Sequence, residues 1–219
     1  MTVISAILSK SCIAIASDSL ITTYDKTNNP LEYGKSKIVY YEKLKCSASY
    51  WGLAWNDHGW STYDWLEKQK SKSAEIDTLE NFANYLRDSL DKELSKMNYE
   101  NPVHKGIGIH LVGYEKIDDK WIPELFLICN YDNTNYSELR EKGLGVSRET
   151  YGTVTKYLPE LKNENYSDKE KRLVVYNEFL NKGRILFYNN GDPIMFNPIA
   201  KAFLQFVNTT VASCSRSSG

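Results

Sequence analysis

Residues 2–19, TVISAILSKSCIAIASDS, decide the first element of the fold. Apolar and polar side chains alternate over residues 3–7 and again over residues 12–16, which is the pattern of half-buried β-strands. The polar triplet Ser9-Lys10-Ser11 separates the two runs and is typical of a turn. The chain is therefore predicted to begin with a β-hairpin that ends just before Asp18.

Further strands are predicted downstream from runs of β-branched and aromatic residues. They cover residues 37–41, 45–51, 107–114, 121–131 and 184–188. The stretch from Thr22 to Gly34 contains Asn28-Asn29-Pro30 and is predicted to be a loop or a short irregular strand.

Helices are predicted between and after these strands. The expected ranges are residues 60–70, 77–97, 147–161 and 167–182, with a last helix from Pro193. In the second of them apolar residues recur at helical spacing, and Asp77 with Glu80 forms a predicted capping box. This order of elements predicts an α+β fold with packed sheets covered by helices, in one domain over residues 1–212. The small, polar residues 213–219 are expected to be a disordered tail.

Composition excludes several classes of partner. The 219 residues include 27 basic and 28 acidic side chains, so the net charge is −1 and there is no basic footprint for nucleic acid. No apolar run approaches the roughly 18 residues of a membrane span, so no membrane association is expected. The four cysteines have no CxxC spacing, which argues against a zinc site and a disulfide framework and favours a reducing, cytoplasmic compartment. They are Cys12, Cys46, Cys129 and Cys214.

Two other motifs that could carry chemistry are weak. The three histidines, His58, His104 and His110, lack the spacing of metal ligands, and no GxSxG nucleophile accompanies them. Gly106-Ile107-Gly108 lacks the third glycine of a phosphate-binding loop and leads into a predicted strand. No metal or organic cofactor is expected.

Thr2 is the candidate nucleophile. Removal of Met1 would give this threonine a free α-amine next to its own hydroxyl, which is the arrangement of an N-terminal nucleophile. An α-amine with an ordinary pKa of about 7.7–8.0 is partly neutral at cellular pH and can accept the hydroxyl proton.

Three further residues stand in a recognisable order after Thr2. Asp18 closes the second strand, Lys37 directly precedes the next apolar strand, and Gly52 lies in Trp51-Gly52-Leu53-Ala54 before a predicted helix. Over about residues 2–66 this order resembles the β-type subunits of the proteasome and their bacterial ATP-dependent relatives, which are N-terminal nucleophile hydrolases.

The resemblance implies a four-layer αββα sandwich, in which two antiparallel sheets are flanked by helices. It also implies an acyl-enzyme on Thr2 that hydrolyses amide bonds, in the first place those of peptides. A cation at Lys37 would favour the threonine alkoxide, and Asp18 would keep that lysine charged and oriented. The amide of Gly52 would form the oxyanion hole, because a side chain there would block the carbonyl oxygen.

Two further expectations come from the same resemblance. The backbone of Thr22 would align the substrate, and the protein would be a homo-oligomer. An ATPase or regulatory partner is not specified by any residue of the chain.

The second half departs from the family pattern. The family's Gly-Ser-Gly is matched only by Gly143-Leu144-Gly145, and Ser147 cannot be assigned its role by position. The family's Arg-Asp followed by Ser-Gly has no counterpart, since residues 183–192 differ. Two alternatives therefore stay open. One is a catalytically inactive proteasome-like scaffold or binding subunit, and the other is an amidase of the same class acting on small molecules within the aromatic surroundings of Gly52.

Overall fold

The computed structural model describes residues 4–24, 30–56, 59–97, 106–131, 143–150, 154, 157–162 and 165–190, with backbone alone for residues 20–24, 30–33 and 189–190. The strands are β1 (Ile4–Leu8), β2 (Ile13–Ser17), β3 (Leu20–Tyr24), β4 (Pro30–Gly34), β5 (Ile38–Tyr41), β6 (Cys46–Gly52), β7 (Ile107–Ile117), β8 (Lys120–Cys129), β9 (Gly145–Arg148) and β10 (Leu186–Asn190). The α-helices are α1 (Thr62–Lys68), α2 (Lys70–Ser73), α3 (Leu79–Lys96) and α4 (Asp168–Glu178), and short 3-10 helices cover Pro159–Lys162 and Leu180–Lys182.

The described strands form two main antiparallel sheets and a separate hairpin. The three-stranded sheet has the order β10-β1-β2, and the five-stranded sheet has the order β5-β6-β7-β8-β9. Strands β3 and β4 pair only with each other in the described part of the chain. The protein is thus α+β, with sheets built mostly from neighbouring strands in sequence.

Helix α3 covers one face of the five-stranded sheet. Its apolar stripe is fully buried and consists of Leu79, Phe82, Ala83, Leu86, Leu90 and Leu94. The stripe packs with Val39, Ala48, Leu111 and Ile128, which are contributed by four neighbouring strands. Burial of this stripe is the main hydrophobic stabilisation of the larger sheet.

The opposite face of the five-stranded sheet packs towards the three-stranded sheet. Val112 of β7 and Leu125 of β8 belong to the same buried cluster as Ala6 and Leu8 of β1 and Leu186 of β10. Every residue of β1 is buried, so both faces of this strand are covered. The arrangement is compatible with a two-sheet sandwich.

Two hydrogen bonds also connect the sheets. The hydroxyl of Tyr114 on β7 donates to the Ser9 carbonyl in the β1–β2 turn at 3.1 Å. Nε2 of His110 on β7 and the hydroxyl of Tyr188 on β10 are hydrogen-bonded at 3.0 Å. Because buried polar groups need partners, these bonds fix the position of one sheet against the other.

A buried ionic cluster joins α4 to strands β7, β8 and β9 of the five-stranded sheet. Arg172 of α4 contacts Glu115 and donates from Nε to Oε1 of Glu124 at 2.6 Å. Nε of Arg148 lies 3.3 Å from Oε2 of Glu124, and the Thr150 hydroxyl donates to the same oxygen at 2.8 Å. Burial raises the pKa of the Glu124 carboxyl, although both arginines act in the opposite direction.

Most of the predicted elements are confirmed. The first hairpin, the strands from Ile38 onward and the long helix α3 lie where the patterns indicate, and helix 60–70 appears as α1 and α2. Ser167 caps α4 and forms a capping box with Glu170. The predicted helix from Pro193, the tail 213–219 and Cys214 lie outside the described residues.

Two local predictions are wrong, and a third is only partly right. Residues 145–148 form strand β9 instead of opening a helix over 147–161, because they complete the edge of the sheet next to β8. The stretch from Thr22 to Gly34, predicted to be a loop or a short irregular strand, contributes strand residues to the β3–β4 hairpin, so this prediction is right in part. The cap of α3 is Thr78, whose hydroxyl accepts from the Asn81 amide at 3.1 Å, and not Asp77.

Three of the four cysteines lie within the described residues. Cys12, Cys46 and Cys129 are free thiols. Among the described residues, no helix combines the length and the apolar character that spanning a membrane requires.

Burial of His110 predicts a specific dependence of stability on pH. Burial lowers the pKa of this imidazole to about 3, below the ordinary value of about 6.5. Between these values the unfolded chain binds a proton that the folded chain does not, so stability falls as pH falls below about 6.5, by at most about 1.4 kcal/mol per pH unit. We expect His110→Gln to make the free energy of unfolding less dependent on pH, because one fewer proton is taken up on unfolding. Urea unfolding between about pH 4.5 and 7 measures this slope.

Tyr188→Phe is the matched control for this experiment. It removes the hydroxyl that binds His110 but keeps the buried imidazole, so the pH dependence should persist at lower overall stability. An identical slope in wild type and His110→Gln would contradict the assignment.

Candidate active site

The predicted charged pair lies where the two sheets meet. Asp18 directly follows β2 and Lys37 directly precedes β5, so the two residues extend strands of different sheets. Nζ of Lys37 lies 3.1 Å from Oδ1 of Asp18, with 3% of the lysine side chain and 24% of the aspartate side chain exposed. A cation so deeply buried requires a paired carboxylate, and the fold provides it.

Gly52, at the end of β6, has a backbone conformation and surroundings that only glycine fits. Its φ is +82°, in the left-handed region that disfavours side chains. A Cβ built on it would lie 2.3 Å from the carbonyl oxygen of Gly106. The requirement for glycine at this position is therefore both conformational and steric.

Strand pairing sets the direction of the Gly52 amide. The Leu53 amide donates to the Gly106 carbonyl at 2.7 Å, which makes Gly52 and Ile107 a non-hydrogen-bonded pair. In such a pair the N–H of each residue points away from the partner strand. The Gly52 amide therefore points away from β7.

The side of β6 to which this amide points is not covered by β5. The pairing of β5 with β6 begins at Ile38 opposite Ser49, so Gly52 lies beyond the start of β5, at the end of the sheet from which Lys37 extends. Gly52 is exposed. An amide donor that points away from β7 at this end of the sheet can stabilise a developing oxyanion.

The other two predicted site residues are less fully described. Thr22 lies in the backbone of β3, opposite Glu32 of β4. Thr2 lies outside the described residues, as does Met1. The structure thus brings Asp18 and Lys37 together and places Gly52 at the same end of the strands.

Glycine–aromatic contacts at this end of the sheet were not predicted from sequence. The rings of Trp51 and Tyr131 stack with centroids 5.3 Å apart. A Cβ on Gly106 would lie 1.6 Å from the Tyr131 hydroxyl, and one on Gly108 would lie 2.1 Å from the Trp51 indole. The Gly106-Ile107-Gly108 motif therefore makes room for two aromatic rings. The sequence feature that could have predicted these contacts is the pair of glycines at the start of a strand.

The remaining tryptophans near Gly52 occupy different environments. Trp65 is buried in the core, and Trp60 packs against that core. Trp55 is 51% exposed, and Nζ of Lys35 lies 5.1 Å from its ring centroid. Trp55 is the most exposed of the tryptophans from residue 51 to residue 65 and can contact a ligand from solvent.

Leu144 and Ser147, which lie where the sequence departs from the Gly-Ser-Gly motif, both make contacts within the fold. Leu144 is buried in the cluster beneath α3, and the Ser147 hydroxyl donates to Oε1 of Glu149 at 2.6 Å.

No known family model and no curated protein sequence matches this chain. The case for a function consequently depends on its own residues and their geometry.

Replacement of Gly52 tests the steric part of this description. We expect Gly52→Ala to lower the free energy of unfolding by more than about 2 kcal/mol, because it adds backbone overlap to left-handed strain. Gly59→Ala is the matched control, since Gly59 has φ +79° but nothing within 4 Å of an added Cβ. Chemical denaturation measures both variants, and equal losses in the two would contradict the overlap with Gly106.

Proposed function

We propose that this protein is an N-terminal threonine hydrolase of the proteasome-like type, which cleaves amide bonds of peptides after Met1 is removed. The observation that carries the proposal is the buried pair of Lys37 and Asp18 at the end of the first hairpin. The proposed fold is the four-layer αββα sandwich of that class. The two facing sheets and the layer of α3 support it.

Chain connectivity supports Thr2 as the partner of this pair. Ile4 pairs with Ser17, the residue directly before Asp18. Consecutive Cα atoms are about 3.8 Å apart, so Thr2 can lie at most about 7.6 Å from Ile4. The covalent chain therefore keeps the nucleophile near the end of β2, where Lys37 is held.

The proposed reaction uses these groups in sequence. The Thr2 hydroxyl oxygen attacks the substrate carbonyl while the α-amine takes its proton, and the ammonium of Lys37 stabilises the developing alkoxide. The Gly52 amide donates to the oxyanion. The C–N bond then breaks, and the leaving amine takes the proton from the α-amine. Water attacks the resulting ester, releases the acid and restores the hydroxyl.

Asp18 acts in this scheme as a positioning residue. Its carboxylate holds Nζ of Lys37 and offsets the cost of burying a positive charge. A homo-oligomer is part of the proposal, and so is the backbone of Thr22 as a guide for an extended substrate.

A second candidate is a non-catalytic scaffold of the same fold. The observation in its favour is Leu144, which lies in the hydrophobic core at the position closest to the family's serine motif. In this case Lys37 and Asp18 would serve only to join the sheets.

Labelling of the chain terminus distinguishes the two candidates. We expect intact-mass spectrometry to find Met1 removed and a peptide epoxyketone to add once per chain, because that reagent needs both the hydroxyl and the α-amine. Thr2→Ala should abolish the adduct, and Thr23→Ala, at a threonine of β3 with no role in the proposed site, should keep it. Complete retention of Met1, or a processed and folded protein without an adduct, would favour the scaffold.

Substitution of the buried lysine tests its role in the chemistry. We expect Lys37→Met, which keeps much of the side-chain volume, to slow epoxyketone labelling by at least about 100-fold, because the cation near the nucleophile is lost. The control is Lys169→Met, which breaks the exposed 2.7 Å pair with Asp118 and should leave the labelling rate unchanged.

Circular dichroism of both variants checks that the fold is kept. A Lys37→Met protein that folds and reacts at the wild-type rate would show that the lysine has no catalytic role.

A further inference from the structure

The turns of three hairpins lie at the opposite end of the sheets from Lys37. These turns are residues 9–12 between β1 and β2, 42–45 between β5 and β6, and 118–119 between β7 and β8. The bond from Tyr114 to Ser9 holds the turn of the smaller sheet against the larger one. The length of β6 separates the two ends by about 20 Å.

A cavity of about 760 Å³ opens at this far end. Four lysines from the hairpin turns and strand ends line it, namely Lys10, Lys43, Lys45 and Lys116. The volume lies in the range typical of small-molecule sites. The chain as a whole has a net charge of −1, so this concentration of lysines is local.

Two of these lysines are free to bind an anion. Lys43 lies 3.5 Å from the Asp77 carboxylate, and Lys10 donates to the Asn181 amide at 2.7 Å. Lys45 and Lys116 have no salt bridge within the described part of the chain. Among the described residues, their ammonium groups are therefore the cavity's cations that no carboxylate or amide oxygen engages.

The carboxylates at the base of the cavity are already engaged. Glu115 contacts Arg172 and also accepts from the Glu80 amide at 2.7 Å, and Glu80 accepts from Arg148. The Thr78 hydroxyl accepts from the following amide of α3, that of Asn81. The lysines, and not the end of the helix, thus supply the anion-binding groups.

An aromatic surface accompanies the lysines. Trp121, at the start of β8, lines the cavity with 56% of its surface exposed. An indole with an open face can stack on a planar base, whereas lysines are point charges suited to a flexible phosphate chain. We propose that this cavity binds a nucleoside polyphosphate, with its phosphates on Lys45 and Lys116 and its base on Trp121. The proposal is independent of the reaction assigned to Thr2.

Calorimetric titration of the full chain tests the proposal. The probes are ATP, sodium tripolyphosphate and adenosine, in buffer without divalent cations. We expect saturable binding of ATP, weaker binding of tripolyphosphate and none of adenosine. The double variant Lys45→Gln/Lys116→Gln should lower the affinity for both ATP and tripolyphosphate by at least about tenfold, because two charge-assisted bonds are lost.

Trp121→Ala tests the contribution of the base to binding separately from that of the phosphates. The variant should lower the affinity for ATP by about tenfold and leave the affinity for tripolyphosphate unchanged, because only the base stacks on the indole. If this variant binds ATP as wild type does, the assignment of the base is wrong.

A second double variant controls for general attraction of anions. Lys92→Gln/Lys162→Gln removes the same charge from exposed positions that do not line the cavity. Its affinity for ATP should stay within about twofold of wild type, because the lost charges lie away from the lysines of the site. The proposal is overturned by equal losses in the two double variants, by absence of saturable ATP binding, or by tighter binding of poly-glutamate, which would indicate an acidic peptide.

Discussion

The ammonium of Lys37 is almost entirely removed from water and lies against the carboxylate of Asp18. Burying a charge without a partner costs several kcal/mol, so the folded chain must hold the end of β2 next to the start of β5. At the far end, the bond from Tyr114 to Ser9 holds the same two sheets together. With both ends fixed, Gly52 and Asp18 lie at the same end of the strands, and the proposed chemistry depends on that placement.

Local patterns were sufficient for the elements whose burial follows directly from periodicity. Alternation over residues 3–7 and 12–16 predicted the first hairpin, and helical spacing from Leu79 to Leu94 predicted α3. The approach of Asp18 to Lys37 is of another kind, because it joins two sheets and no local pattern encodes it. Only the family resemblance, which rests on the order of residues along the chain, predicts that pairing.

The predictions failed where tertiary contacts overrode local preference. Residues 147–161 have helical spacing, but Val146 and Arg148 are needed at the sheet edge, where Arg148 reaches the carboxylate of Glu124. The cluster around Glu124 draws its members from β7, β8, β9 and α4. Such a cluster has no spacing rule, since each charge is placed by a different element. The cap of α3 differed by one residue because both Asp77 and Thr78 are suitable N-cap types.

The two glycine–aromatic contacts at the start of β7, made by Gly106 and Gly108, also restrict how this chain can diverge. Any side chain at Gly106 collides with Tyr131 unless the tyrosine has already been shortened, and Gly108 has the same relation to Trp51. Shortening the aromatic residue first leaves a cavity beside a stacked ring, which is itself destabilising. Whichever residue of a glycine–aromatic pair is replaced first, the single variant is therefore less stable than the starting protein. In descendants of this sequence, the glycine and the aromatic residue of each pair should be inherited together or replaced together.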